Sequence, residues 1–219
     1  MLKTKLLSYP RSGNTWLRYC IEFLTKRPTI GVSGSNAFIA RPIGALYDMG
    51  VDMGAEPICQ KSHDIANLTG SVLFLVRNYK ECVPRHQRTI GSRADTDILL
   101  RDYSQMIKEF DSFSGPKKIL YYEDLIKGKK SFFKDVLDFF ECDDGYLQEF
   151  IFDIEKHRNM SIQFYNRNGQ PSITKGQMEI FHSFRLDDEI WDIKMKNNLG
   201  EELYYKYLDR YEYKRGDNG

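Results

Sequence analysis

Leu6-Leu7-Ser8-Tyr9-Pro10-Arg11-Ser12-Gly13-Asn14-Thr15-Trp16 decides the reading of this chain, because it joins a short apolar run to an amphipathic stretch reaching about Lys26. Trp16, Cys20, Phe23 and Leu24 recur at i, i+4, i+7 and i+8, the spacing of a helix that buries one face. Arg27-Pro28 ends it. A strand, a tight loop of small residues and a helix, in that order, present several backbone N–H groups to a phosphate. The unpaired donors of the helix's first turn and the positive end of its dipole face the anion. Gly13 permits close backbone approach, Ser12 and Thr15 supply hydroxyl donors, and Arg11 supplies a permanent forked cation. Read alone, the same residues also suit a turn that only ends a strand.

Outward from this loop, Ile58-Cys59-Gln60-Lys61-Ser62-His63 reads as a short strand emptying into a loop. Val72-Leu73-Phe74-Leu75-Val76 is a continuous apolar run, as expected of a strand covered on both faces, and Arg77-Asn78 follows it. After Tyr79 a helix is expected towards Thr89, with Pro84 bending or starting it. Leu99, Tyr103, Met106, Phe110 and Phe113 mark a second amphipathic helix, and Lys118 to Tyr122 another strand, ending in Glu123-Asp124. Phe133, Val136, Leu137 and Phe140 mark a further helix, and Tyr146, Leu147, Phe150, Ile151 and Ile154 one more. A last helix carries Leu203, Tyr204, Tyr207, Leu208 and Tyr211, while Asp187-Asp188-Glu189 place acidic charge where a helix start favours it. Residues 29–56 read as irregular with room for one short helix, and 158–177 as a long loop. Strands alternating with helices predict an α/β fold. The expected architecture is one domain over 1–219, a central, mostly parallel sheet flanked by helices, with a phosphate-binding strand–loop–helix like that of nucleotide kinases.

Composition narrows the partners. A chain of 219 residues, 41% hydrophobic and 14% aromatic, is long enough to bury one good core. With 32 basic and 31 acidic residues the net charge is +1, so no overall field drives binding to nucleic acid or to an anionic membrane. Cys20, Cys59, Cys82 and Cys142 are widely spaced, and the four histidines (63, 86, 157 and 182) lack ligand-like spacing, so reduced thiols and no metal are expected. Met1-Leu2-Lys3-Thr4-Lys5 leads straight into the first expected strand, and no leader or spanning apolar segment is visible. A cytoplasmic protein is the expectation.

Exits from parallel strands gather at one edge of the sheet, where ligands bind in such folds. In order, the exits here are Arg11 to Trp16, Lys61-Ser62-His63, Arg77-Asn78 and Tyr122-Glu123-Asp124. Pro10-Arg11-Ser12-Gly13-Asn14-Thr15-Trp16 resembles the Pro-Lys-Ser-Gly-Thr-Thr-Trp loop of sulfotransferases that use 3′-phosphoadenosine 5′-phosphosulfate (PAPS). The resemblance continues in family order. Lys61-Ser62-His63 is similar to the Lys-x-His segment, Val76-Arg77-Asn78-Tyr79-Lys80-Glu81 to the Arg-Asn-Pro-Lys-Asp segment, and Tyr122-Glu123-Asp124-Leu125 to Tyr-Glu-Asp-Leu. Thr174-Lys175-Gly176 resembles a reduced Arg-Lys-Gly. The departures are Arg11 for lysine, Tyr79 for proline, Arg85 where a serine that binds the 3′-phosphate is usual, and Thr174 for arginine.

The resemblance implies a sulfotransferase with PAPS as co-substrate and no metal. His63 would be the general base, with Arg11 and Lys61 as further catalytic residues. Arg11, Ser12, Gly13, Asn14, Thr15 and Trp16 would hold the phosphosulfate side, and Arg77, Arg85, Lys175 and Gly176 the 3′-phosphate. Tyr122 would lie near the adenine, where Trp16 would stack unless it packs in the core. Arginine cannot practically donate a proton, its pKa exceeding about 12, so Arg11 stabilises charge only. The acceptor is expected to be a small molecule or a glycan, bearing a hydroxyl or amine, with residues 30–52 and 160–177 as pocket walls. A divergent nucleotide or small-molecule kinase, and a nucleotide-binding protein without catalysis, are the other readings. The triphosphate-binding G-x-x-x-x-G-K-[ST] signature is absent from the sequence.

Overall fold

Side chains leave the central strands alternately in two directions, and the helices cover one direction or the other. Leu6, Leu73, Leu75 and Leu120 enter one buried cluster, while Leu7, Val72, Phe74 and Val76 enter a second. This is the period-two alternation of a pleated strand, with both faces apolar. The structure is a computed structural model that describes residues 4–31, 43, 49–64, 68–90, 95–166 and 189–212. Its strands are β1 (Thr4–Ser8), β2 (Thr29–Ile30), β3 (Cys59–Ser62), β4 (Ser71–Val76) and β5 (Lys117–Tyr121). They form one sheet in the order β2-β3-β1-β4-β5, with every pairing parallel.

The helices are α1 (Asn14–Thr25), α2 (Tyr79–Ile90), α3 (Thr96–Ser112), α4 (Tyr122–Ile126), α5 (Lys130–Phe139), α6 (Leu147–Phe152), α7 (Ile154–Asn166), α8 (Glu189–Leu199) and α9 (Glu201–Tyr207). The first cluster is closed by Leu17, Cys20 and Leu24 of α1 with Phe133 and Leu137 of α5 and Phe150 of α6. The second is closed by Tyr103, Ile107 and Phe110 of α3 with Cys82 of α2, Met195 of α8 and Tyr204 of α9. None of the described helices is long and apolar enough to cross a membrane.

Four expectations are corrected. Thr29–Ile30 is an edge strand, not irregular chain, because α1 holds it. The Thr29 N–H donates to Glu22 Oε1 at 3.0 Å, and Arg18 Nε donates to Thr29 Oγ1 at 2.8 Å, all three residues being buried. Tyr122-Glu123-Asp124 opens the short helix α4 and does not end β5; its acidic pair lies in the first turn, where the helix dipole favours it. The stretch expected as one helix over Tyr146 to Ile154 is two, broken at Asp153. Residues 158–166 continue α7 where a loop was expected. That helix is anchored by His157, whose ring stacks on Phe150 at 4.8 Å and accepts or donates a hydrogen bond with Tyr19 at 2.9 Å. Residues 167–177 lie outside the described residues.

β1 sits between β3 and β4: from β1 the chain goes to the edge strand β2, returns inward to β3, and then crosses to β4 and β5 on the other side. Leu7 is in register with Ser62, Ser8 with Leu75, and Val76 with Tyr121. All four exits therefore lie at one edge of the sheet, and β1 is the switch strand between them.

A buried ion pair ties α2 to α8. Lys80 Nζ lies 2.8 Å from the Asp192 carboxylate, with side-chain exposures of 1% and 4%. Tyr79 and Tyr204 also donate to Asp192. Asp192→Ala leaves the ammonium buried without that carboxylate and is expected to cost about 3–5 kcal/mol in urea unfolding. Lys80→Met with Asp192→Leu should recover most of that loss. A loss below about 1 kcal/mol for Asp192→Ala would remove this pair as an anchor.

Candidate active site

The turn from β1 into α1 is built on two residues in the left-handed region, Arg11 at φ 68° and Gly13 at φ 88°. A non-glycine residue adopts that conformation at a cost of about 1 kcal/mol, and such positions gather at ligand-binding turns. The result is a compact step from strand to helix: the Ser12 N–H reaches the Tyr9 carbonyl at 3.3 Å, and Leu17 N–H takes the Gly13 carbonyl at 3.1 Å. Gly13 is the N-cap of α1 and offers no side-chain oxygen to the N–H groups of the first turn. Asn14 is fixed instead to the strand, its Nδ2 donating to Ser8 Oγ at 3.0 Å. Ser12 is buried beside Cys82, and its hydroxyl makes no hydrogen bond of ordinary geometry.

Gly13 is also required by packing. A Cβ there would stand 2.4 Å from Cε2 of Tyr122, so the tyrosine ring lies directly on the loop. The same ring carries the guanidinium of Arg77, whose central carbon is 4.0 Å from its centroid. Arg77 leaves β4 and reaches back across the sheet edge, donating from Nη1 to the Arg11 carbonyl at 3.0 Å. Glu81, one turn into α2, holds its Nε and Nη2 at 3.1 and 2.8 Å. Asn78 caps α2 by accepting from the Lys80 N–H at 3.0 Å, while its own N–H donates to Glu123 at 3.2 Å. The exits of β1, β4 and β5 are thus locked together by side-chain contacts.

His63 stands past the end of β3 with Nδ1 2.6 Å from the Ser8 carbonyl. A carbonyl only accepts, so Nδ1 bears the proton and Nε2 carries the lone pair. Burial, then the Lys61 ammonium, push the His63 pKa down to about 4. Burial, then Arg18 and Arg11, push Lys61 down to about 8. Arg85 is lowered by burial and by Arg77. Burial is the first cause of all three shifts, and neighbouring cations add to it: Lys61 at His63, Arg18 and Arg11 at Lys61, and Arg77 at Arg85. An anion entering beside these cations offsets the second, smaller contribution.

Of the two readings of Trp16, core packing is the one found, its ring 5.4 Å from Tyr19 and 6.2 Å from Phe150. Lys175 and Gly176, with most of the segments expected as pocket walls, lie outside the described residues. The cleft that opens beside His63 was missed. It measures about 300 Å³ and runs from Tyr9, Pro10, His63 and Asp64 to His86 of α2 and to Asp102, Gln105 and Met106 of α3. The available signal was the polar edge of the α3 pattern, where Asp102 and Gln105 each precede a buried apolar residue.

An all-parallel sheet in this order, flanked by helices and with an uncapped helix following its switch strand, is a sulfotransferase-like fold. The likeness is to the crystal structure of the mouse sulfotransferase SULT7A1 complexed with PAP. It gives a TM-score of 0.55 at 15% sequence identity, covering 96% of this chain and 88% of that one. No protein-family model matches the chain, and no curated protein matches it.

The His63 shift has a direct consequence. Its ordinary value is 6.5, so as pH falls from about 6.5 towards 4 the unfolded chain takes up a proton that the folded chain refuses. His63 therefore lowers stability across that window and is neutral above it. In ligand-free protein, the His63 ring followed by NMR should stay unprotonated down to about pH 5, and Lys61→Met should raise its midpoint. A midpoint near the ordinary value would contradict the described environment.

Proposed function

We propose that the chain transfers a sulfuryl group from PAPS to a hydroxyl or amine of a small acceptor. The observation that carries this reading is the Arg77 guanidinium bonded to the Arg11 carbonyl at 3.0 Å, which joins the two expected phosphate-binding exits across neighbouring strands. Three features suit an anionic nucleotide at that junction: the uncapped first turn of α1, the left-handed pair Arg11 and Gly13, and the mutually opposed cations. PAPS supplies the activated sulfuryl group and a phosphate leaving group.

On this reading the residues take the following roles. Arg11 and the first-turn N–H groups of α1 stabilise the charge that grows on the leaving oxygen. No proton is needed there, because the second phosphate pKa is about 6. Lys61 faces the transferred group, and an anion beside it raises its depressed pKa. His63 accepts the acceptor's proton at Nε2 while Nδ1 stays on the Ser8 carbonyl, which keeps the ring's orientation and tautomer fixed. Because Lys61 is a cause of the depressed His63 pKa, an anion paired with Lys61 also strengthens the base. Arg77 and Arg85 serve the 3′-phosphate; of the five N–H donors of Arg77, those bonded to Glu81 and Arg11 leave others for an anion.

Titration calorimetry with 3′-phosphoadenosine 5′-phosphate against adenosine 5′-phosphate tests the nucleotide assignment. The bisphosphate should bind more tightly, and Arg77→Ala should weaken it about tenfold or more. Equal affinities for the two nucleotides, or magnesium-dependent ATP turnover, would overturn it. His63→Ala should keep bisphosphate binding and lose about 10²–10⁴ in transfer rate; undiminished transfer would remove His63 as the base.

A further inference from the structure

Three groups from different parts of the chain converge on the guanidinium of Arg77. Glu81 Oε2 accepts from Nε at 3.1 Å and from Nη2 at 2.8 Å. The Arg11 carbonyl accepts from Nη1 at 3.0 Å, and the ring of Tyr122 lies against the guanidinium face at 4.0 Å. The backbone is held as well, because the Arg77 carbonyl accepts from the buried hydroxyl of Tyr103 at 2.7 Å. Three of the five N–H donors are thus taken, and two remain, one on Nη1 and one on Nη2.

Glu81 takes the side of the fork formed by Nε and Nη2. Occupying that side fixes the rotation of the guanidinium plane and turns the two remaining donors away from the carboxylate. Pairs at this i,i+4 spacing on an open helix surface contribute little. This pair differs in burial, the Arg77 side chain being 4% exposed and that of Glu81 25%. A guanidinium so far from water needs its donors met, and one carboxylate oxygen meets two of them. Arg85, one turn beyond Glu81 on α2, is the second cation expected at the 3′-phosphate. Arg77 disfavours its charge and Glu81 favours it, so the carboxylate offsets the repulsion between the two arginines.

We propose that Glu81 is a positioning residue of the nucleotide site: it turns the guanidinium of Arg77 so that the two remaining donors meet the 3′-phosphate. This rests on the sulfuryl-transfer reading and adds to it how the site distinguishes a bisphosphate from a monophosphate nucleotide. Glu81 acts through Arg77 and contacts neither nucleotide nor acceptor. An arginine already fixed loses little rotamer freedom when the phosphate arrives, so more of the contact appears as affinity. The charge of the carboxylate works in the other direction, because it stands near an incoming anion. Substitution separates the two effects. Glutamine keeps an oxygen that can accept from the same side of the fork and carries no charge, while alanine has neither.

Calorimetry on the full chain compares 3′-phosphoadenosine 5′-phosphate with adenosine 5′-phosphate in the unaltered protein, Glu81→Ala and Glu81→Gln. Glu81→Ala should weaken the bisphosphate about fivefold and the monophosphate by less than about twofold, whereas a general loss of structure would weaken both alike. Glu81→Gln should bind the bisphosphate as tightly as the unaltered protein or more tightly. In an Arg77→Ala background, Glu81→Ala should bring no further weakening. Undiminished bisphosphate affinity in Glu81→Ala, equal losses in the two single variants, or a further loss in the Arg77→Ala background would each overturn the proposal. The Arg77 Nε–H, followed by NMR without nucleotide, should exchange slowly with water in the unaltered protein and rapidly in Glu81→Ala. Slow exchange in both would also overturn it. Failure of the bisphosphate to bind the unaltered protein removes the sulfuryl-transfer reading instead, and the exchange of that N–H still reads the hold of Glu81 on Arg77.

Discussion

The parallel pairing of β1 with β4 is the constraint on which the site depends. Ser8 lies in register with Leu75, so the loop after β1 and the loop after β4 start side by side at the same height. Neither loop alone gathers the polar groups of this edge. Together they put a helix N-terminus, an arginine from each strand exit and the ring of Tyr122 into one small volume. The apolar alternation of β1 and β4 is what fixes that register: a one-residue slip would turn Leu7 and Phe74 from one core to the other. Packing on both faces of the sheet therefore sets the geometry of the polar edge.

Much of this was legible in the chain. Val72 to Val76, the spacing from Trp16 to Leu24 and the Leu99 to Phe113 stripe are strong periodic signals, and each became the expected element. The exits followed because polar residues after an apolar strand in an α/β chain can only lie at the carboxyl edge. What escaped was structure held by long-range partners. Thr29–Ile30 has no strand signature of its own and is a strand because Arg18 and Glu22 bind Thr29 from α1. The break at Asp153 divides a pattern that is apolar on both sides of it. The cleft beside His63 escaped because its residues come from the loops after β1 and β3 and from α2 and α3, and no local pattern groups Asp64 with Asp102.

The departures from the sulfotransferase motif have physical explanations in two places. Tyr79 stands where proline is usual, and its hydroxyl donates to Asp192 in the buried network that also holds Lys80. The start of α2 is thus fixed by a tertiary anchor and by the Asn78 cap, without the restricted backbone that proline would provide. Arg11 adopts the left-handed conformation, and its carbonyl, not its side chain, makes the contact with Arg77. The backbone of residue 11 thereby contributes to joining the two exits whichever cation the side chain presents.

Ser8 serves two masters. Its carbonyl orients the imidazole of His63, and its hydroxyl receives the amide of Asn14 at the head of α1. The His63 ring and the turn into α1 are consequently referenced to one fully buried residue of the central strand. A change at Ser8 would therefore be felt at both places at once, at the head of α1 and at the His63 ring. The outer wall of the cleft, in contrast, is carried by α2 and α3. Residues of those two helices can therefore change without touching either contact of Ser8.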